Sequence, residues 1–241
     1  LEADDSPHRA YALRDAVRLL DLDDESADVL KELLLRCFLA PAYWDSLHGR
    51  RFLAFVMSLS PELANAAHTS LKAQLPALAK SKSPTAKTLL GSVGEVYFGA
   101  WRLLAKSSTS SFASGNDAAA AADDDDHDNG NGEEEDDEDA LHSLDDDSPL
   151  TADCTRFERD IVQDLMRLAV MLEDASLARA VWRVLNAGFH ANKRVAGVDA
   201  MLTKLYEPIL WRGLDARNAA VRVNAATVLI HAFPLPDPKR N

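Results

Sequence analysis

The sequence predicts an all-α fold in which antiparallel helix pairs stack into a curved solenoid. Three observations predict it. Apolar residues recur at three- and four-residue spacing along most of the chain. No stretch shows the apolar–polar alternation of a half-buried strand. The closing stretch, Leu205 to Pro238, reads as two helices about a short polar turn, each with an apolar stripe that only a neighbour can bury.

In chain order, Ser6-Pro7 starts a helix, with Ser as N-cap and Pro in the first turn. Leu13, Val17 and Leu20 line its face. Asp23, Asp24 and Glu25 place negative charge where the next helix dipole favours it. Val29, Leu30, Leu33, Leu34, Cys37 and Phe38 follow, and Pro41 ends that helix. A third face carries Phe52, Phe55, Val56 and Leu59. Ser60-Pro61 opens a fourth helix lined by Leu63, Ala67, Leu71, Leu75 and Leu78, in which Pro76 should kink or shorten the last turn. After the basic connector Lys80 to Pro84, a fifth helix runs from about Thr85 to Lys106 with Leu89, Val93, Tyr97, Ala100 and Leu104 on one side. Gly91, Gly94 and Gly99 weaken it by about 1 kcal/mol each relative to Ala, and close helix–helix packing explains their presence.

The periodicity then stops. Residues 117 to 147 hold 16 of the 39 acidic residues and no Lys or Arg. So much charge with so little apolar surface does not offset the entropy of ordering, which predicts a disordered acidic insertion over 107–151. Helical segments flank it at 1–106 and 152–241, as parts of one solenoid. Helices resume with Phe157, Ile161, Leu165, Leu168 and Leu172, then Leu177, Val181, Val184, Gly188 and Phe189. In the closing pair, Val198, Met201, Leu202, Leu205 and Ile209 form one stripe. Asp215-Ala216-Arg217-Asn218 forms the turn, where Asp and Asn suit a left-handed backbone. Val221, Ala225, Val228 and Ala232 form the second stripe with Leu229 and Phe233 beside it, and the helix stops before Pro234, Pro236 and Pro238. About nine helices result. A pair of this kind is the unit of a HEAT-like α-solenoid.

Composition limits the function. The chain has 241 residues, 47% of them hydrophobic, enough for a sizeable core. It begins at Leu1 and stops soon after a helix, as expected of a segment of a longer protein. No apolar run approaches the roughly 20 residues that span a bilayer, so no membrane partner is expected. Cys37 and Cys154 read as buried free thiols in a reducing compartment, with a disulfide as the alternative. The formal charge of -13 belongs to the acidic tract: the rest of the chain carries 23 acids against 26 bases, a net of +3. From Arg179 onward ten bases face only Asp199, Glu207, Asp215 and Asp237.

Several chemistries have no residues to support them. No GxxxxGK[ST] loop, HExxH, CxxC or GxSxG occurs, so no ATP hydrolysis, metal centre, nucleophilic catalysis or cofactor is expected. His127 and His142 lie amid carboxylates, but a metal site needs fixed ligand geometry and a solvated linker is the preferred reading. The acidic tract has a functional alternative, as a mimic of phosphate backbone that screens the chain's own basic surface or engages basic partners.

The basic end reads more sharply. Lys193, Arg194, Arg212, Arg217 and Arg222 fall near helix ends and the inter-helix turn, where side chains reach one edge of a solenoid. Such residues neutralise DNA phosphates without reading sequence and give salt-dependent binding. The competing reading is an ordinary ladder of ion pairs between repeats, to which Arg222 leans, while Lys193 and Arg194 lean to DNA. Tyr206 and Trp211 are either core residues or interface anchors.

The wording of the closing pair also carries a resemblance. Tyr206, Pro208 to Leu214, Ala216 to Asn218, Val221-Arg222, Asn224 to Ala226, Ala232 to Pro234 and Asp237-Pro238 resemble the HEAT-repeat G-subunit family of the condensin II complex. Leu33 to Phe38, Gly49 to Leu53, Glu95, Tyr97-Phe98 and Ala100-Trp101 are similar to it as well. The likeness breaks across the acidic tract. It implies a non-catalytic scaffold that binds the kleisin subunit and, through it, the SMC ATPase pair, acting with DNA in mitotic chromosome condensation in the nucleus. The alternative is a HEAT or armadillo adaptor that holds peptide segments of protein partners.

Overall fold

A computed structural model describes residues 6–20, 22, 27–81, 83–113 and 152–233. Among these residues every regular element is helical. Short helices α1 (Ser6–Ala12), α2 (Arg14–Arg18), α3 (Asp28–Arg36) and α4 (Pro41–Asp45) lead into α5 (Leu47–Leu59), α6 (Pro61–Lys80) and α7 (Pro84–Ala113). Then come α8 (Ala152–Phe157), α9 (Gln163–Met171), α10 (Ala175–Gly188), α11 (Val198–Leu205), α12 (Arg212–Leu214) and α13 (Ala219–Ala232). Helix α5 packs on α7, α7 on α10, α10 on α9 and α9 on α13.

The long helices follow the predicted stripes. Ser60 accepts the Leu63 amide at 3.2 Å and Pro61 holds the first helical position of α6, as a cap and a preset φ require. Phe52, Phe55, Val56, Leu63, Ala67, Leu71 and Leu75 are buried, as are Val93, Tyr97, Ala100, Leu104, Phe157, Ile161 and Leu165. In the closing pair Val198, Met201, Leu202, Ile209, Val221, Ala225, Val228 and Ala232 are buried too.

The differences lie mostly at the N-terminal end. Leu13, Leu20, Val29 and Leu33 are exposed, because α1 to α3 are too short to turn a full stripe onto the core. Pro41 opens α4 after a 3-10 turn at Cys37–Leu39 as well as closing what precedes it. Helix α6 continues through Pro76 to Lys80. Helix α7 runs on to Ala113, past the end expected at Lys106. Phe233 is exposed. Neither Asp215 nor Asn218 is left-handed: Asp215 sits at φ -93, ψ 6 and Asn218 is extended. The charges at Asp23, Asp24 and Glu25, the prolines after Phe233 and the acidic stretch 114–151 lie outside the described residues.

One apolar cluster runs from Leu22 to Ala232 and joins residues from both sides of the acidic stretch. Helices α7 and α10 cross closely at two glycines. A Cβ built on Gly94 lies 2.8 Å from the Gly188 amide nitrogen, so neither position accepts a side chain without the helices parting. Gly99 similarly faces Ala54, whereas Gly91 meets nothing within 4 Å and is not explained by packing. Two π-helical stretches, Glu158–Val162 and Tyr206–Trp211, interrupt the α geometry. The second contains Pro208, whose ring has no amide to donate and meets the preceding turn, so a widened turn relieves it.

Two polar joints also cross the acidic stretch. His68 is buried on α6. Its Nε2 lies 3.0 Å from Asp164 Oδ2 and its Nδ1 2.8 Å from the Tyr97 hydroxyl. The carboxylate only accepts, so Nε2 carries the proton and the hydroxyl donates to Nδ1. Burial lowers the His68 pKa, against the pull of Asp164, and keeps the ring neutral. Burial raises the Asp164 pKa, but Lys72 at 2.6 Å and His68 outweigh it and hold it below the ordinary carboxylate value. In the second joint the buried Trp101 donates its indole N–H to Glu158 at 2.9 Å. Neither cysteine is in a disulfide: Cys154 is buried, with its pKa pushed up to about 12 by burial, and Cys37 is half-buried.

Candidate nucleic-acid interface

Helix α13 organises the five predicted cations, and it separates them. At its start Asn218 accepts the Ala220 amide at 2.8 Å and donates to Glu173 at 2.9 Å, which caps α13 and ties it to the end of α9. Asn224 donates to the Leu172 carbonyl at 2.8 Å, closing the same junction one turn later. Arg222 folds back from α13 and donates to the carbonyls of Ala216 and Arg217 at 2.8 and 2.7 Å, so its guanidinium holds the turn. Arg212 just before that turn and Arg217 within it are exposed.

Lys193 stands at the other end. Its ammonium donates to the carbonyls of Ala232 and Phe233 at 2.7 and 3.1 Å, where the last turn of α13 leaves acceptors unpaired and the dipole favours a cation. Arg194 beside it is exposed. A helix of this length spans about 21 Å, so Lys193 and Arg194 do not join Arg212, Arg217 and Arg222 in one patch. Two of the five cations hold backbone carbonyls and three face solvent.

The aromatic candidates divide as well. Tyr206 is buried against His190, ring centroids 6.0 Å apart, while Trp211 is 43% exposed. His190 also stacks edge-on to Trp182 at 4.8 Å, and burial pushes its pKa down to about 3, so it is neutral near pH 7.

The fold builds another basic concavity. Lys80, Lys87, Arg179 and Arg183 line a depression of about 430 Å³ with no carboxylate among its lining residues. Ser176 donates to the Ala79 carbonyl at 3.0 Å and pins the start of α10 to the end of α6, which brings these cations together. Arg179 and Arg183 are four apart on one helix face, a pattern visible in the sequence. Lys80 and Lys87 join them only through tertiary packing. Among the described residues no group of three or more His, Cys, Asp or Glu is placed to hold a metal ion, and no helix is long and apolar enough to cross a membrane.

Comparison with known proteins gives the context of this surface. The family described as "Condensin II non structural maintenance of chromosomes subunit" matches residues 36–115 and 151–237, leaving out most of the acidic tract. The condensin-2 complex subunit G2 of Mus musculus is 31% identical over 230 residues, 95% of this chain. The subunits G2 of Xenopus laevis and Homo sapiens are each 31% identical, over 97% and 95% of it. The chain spans 16% of the length of each of these relatives. No solved structure matches it. With its family match on both sides of the acidic tract, the chain belongs to the condensin II non-SMC subunit family.

Proposed function

We propose that this chain is part of a non-catalytic scaffold subunit of condensin II that binds the kleisin subunit and DNA during mitotic chromosome condensation in the nucleus. The SMC ATPase pair is engaged indirectly, through the kleisin. The family match on both sides of the acidic tract carries this reading. DNA contact is assigned to the exposed Arg194, Arg212 and Arg217, supported by Lys193 and Arg222, with Lys80, Lys87, Arg179 and Arg183 as a further phosphate-binding concavity. Exposed guanidiniums at helix ends suit phosphate contact that is indifferent to base sequence.

The test is binding of short duplex DNA across a salt series, beside a pull-down with condensin II kleisin fragments. Charge reversal at Arg194, Arg212 and Arg217 should weaken DNA binding and flatten its salt dependence while leaving kleisin capture intact. An unchanged salt slope sinks the DNA assignment, and failure to capture any kleisin fragment sinks the kleisin assignment for this segment.

A further inference from the structure

Four arginines gather around one cavity built from N-terminal helices and α7, where the sequence shows no basic run. Arg14 and Arg18 of α2, Arg51 of α5 and Arg102 of α7 surround a groove of about 310 Å³. The floor is small and apolar, formed by Ala54, Phe55, Gly99 and Leu103, Lys106 stands at the rim, and among the described residues no carboxylate lines it. Asp15 pairs with Arg14 at 3.7 Å and is itself 72% exposed, so it screens little. Arg50, next in sequence to a groove arginine, has its own carboxylate, Glu95 at 2.9 Å. The groove arginines are held instead by aromatic faces: Arg14 lies over Tyr11 at 4.4 Å, Arg18 over Phe55 at 5.5 Å and Arg102 over Phe98 at 5.9 Å. Stacking fixes a guanidinium plane and leaves its edge N–H groups for an anion.

Like charges crowded over an apolar floor repel one another, and the low-dielectric wall strengthens the field they project. An anion relieves that repulsion, and the geometry selects its kind. Guanidinium forks match phosphate oxygens in pairs, and four of them exceed what a single phosphate group uses. The volume is that of a small-molecule site and does not admit a duplex. Tyr11 is the one neutral hydrogen-bonding side chain in the lining, so the groove offers many donors and few acceptors, and the backbone N–H groups of an extended peptide lack partners. We propose that this groove binds a compact polyphosphate, several phosphate groups carried on one small scaffold.

The experiment uses the full chain with inositol hexakisphosphate as probe, measured by calorimetry and by thermal unfolding. Sulfate at matched ionic strength serves as the control for diffuse anion binding. A ligand that binds only the folded state raises the midpoint with concentration. Inositol hexakisphosphate should do so where sulfate does not. Arg51→Glu together with Arg102→Glu should weaken binding by at least roughly tenfold, as loss of charge-assisted hydrogen bonds implies. Circular dichroism reports whether the variant is folded, and Arg51→Ala alone should give an intermediate loss if the double variant is not. Equal shifts with sulfate, or unchanged affinity in folded variants, overturn the proposal. Displacement of the probe by an acidic phosphopeptide or by duplex DNA with equal sensitivity to Arg51→Glu also overturns it, and assigns the groove to that partner.

Discussion

The two ends of helix α13 and the arginine groove hold comparable numbers of cations and use them in opposite ways. At α13, Arg222 and Lys193 donate to four main-chain carbonyls and set where the helix begins and ends. In the groove, Arg14, Arg18, Arg51 and Arg102 stand about a cavity with no lining carboxylate among the described residues, three of them resting on aromatic rings. The two cations bonded at the ends of α13 are structural, whereas the groove arginines gather about a cavity. Counting bases along the chain does not separate the two, because it is blind to where the carbonyls of a helix end are left open.

The comparison breaks most severely if the core beneath both regions is parted. Gly94→Leu should cost more than about 3 kcal/mol or abolish folding, since its side chain lands on the α10 backbone; urea unfolding followed by circular dichroism measures it. A near-neutral result would mean that α7 and α10 do not cross at Gly94 and Gly188.

Acid should act next, chiefly through the C-terminal region. His190 is held at about 3 against an ordinary value of 6.5, and burial is the main cause. The unfolded chain therefore binds the extra proton between those values and the folded chain does not. Stability is fully present above pH 6.5 and falls as the pH drops toward 3. Burial lowers the pKa of His68 as well, so it adds in the same direction. His190→Phe should flatten the profile in that window, and an unchanged slope would remove His190 from the account.

Smaller effects sharpen the contrast directly. Arg222→Ala should lower stability by about 1–2 kcal/mol and Lys193→Met by about 1 kcal/mol, because each leaves helix-end carbonyls to water. Arg51→Ala should change stability by less than about 0.5 kcal/mol, or raise it by relieving repulsion. If Arg51→Ala costs as much as Arg222→Ala, the groove is a structural element and the distinction between the two regions fails. Thermal melts at low and high salt decide this.

Sequence reasoning read the long helices well, because an apolar stripe at helical spacing has few ways to be buried. Val221, Ala225, Val228 and Ala232 all lie inwards, and Ser60-Pro61 caps α6 as its residue types require. It read the short N-terminal helices poorly. Two turns of helix contact the core over too small an arc for every periodic position to face inwards, and Leu13, Leu20, Val29 and Leu33 point out. Among the predicted cations, Arg222 leans by sequence to an ion-pair ladder between repeats, but its guanidinium bonds two main-chain carbonyls of the turn. Lys193 instead holds the end of α13, a partner about 40 residues away that no local pattern reveals.

By itself the sequence determined the all-α class, the stripes of the long helices that face inwards and the cap at Ser60. All of these depend on residues within a few turns of one another. Only the tertiary structure decided which cations hold carbonyls and which stay free, that Gly94 meets Gly188, and that His68, Tyr97 and Asp164 share one network. It also decided that four arginines drawn from three distant stretches close about one groove. The reason is physical: a helix propensity or a cap is a local free energy, whereas the partner of a long charged side chain is set by helix packing that brings remote positions within about 3 Å.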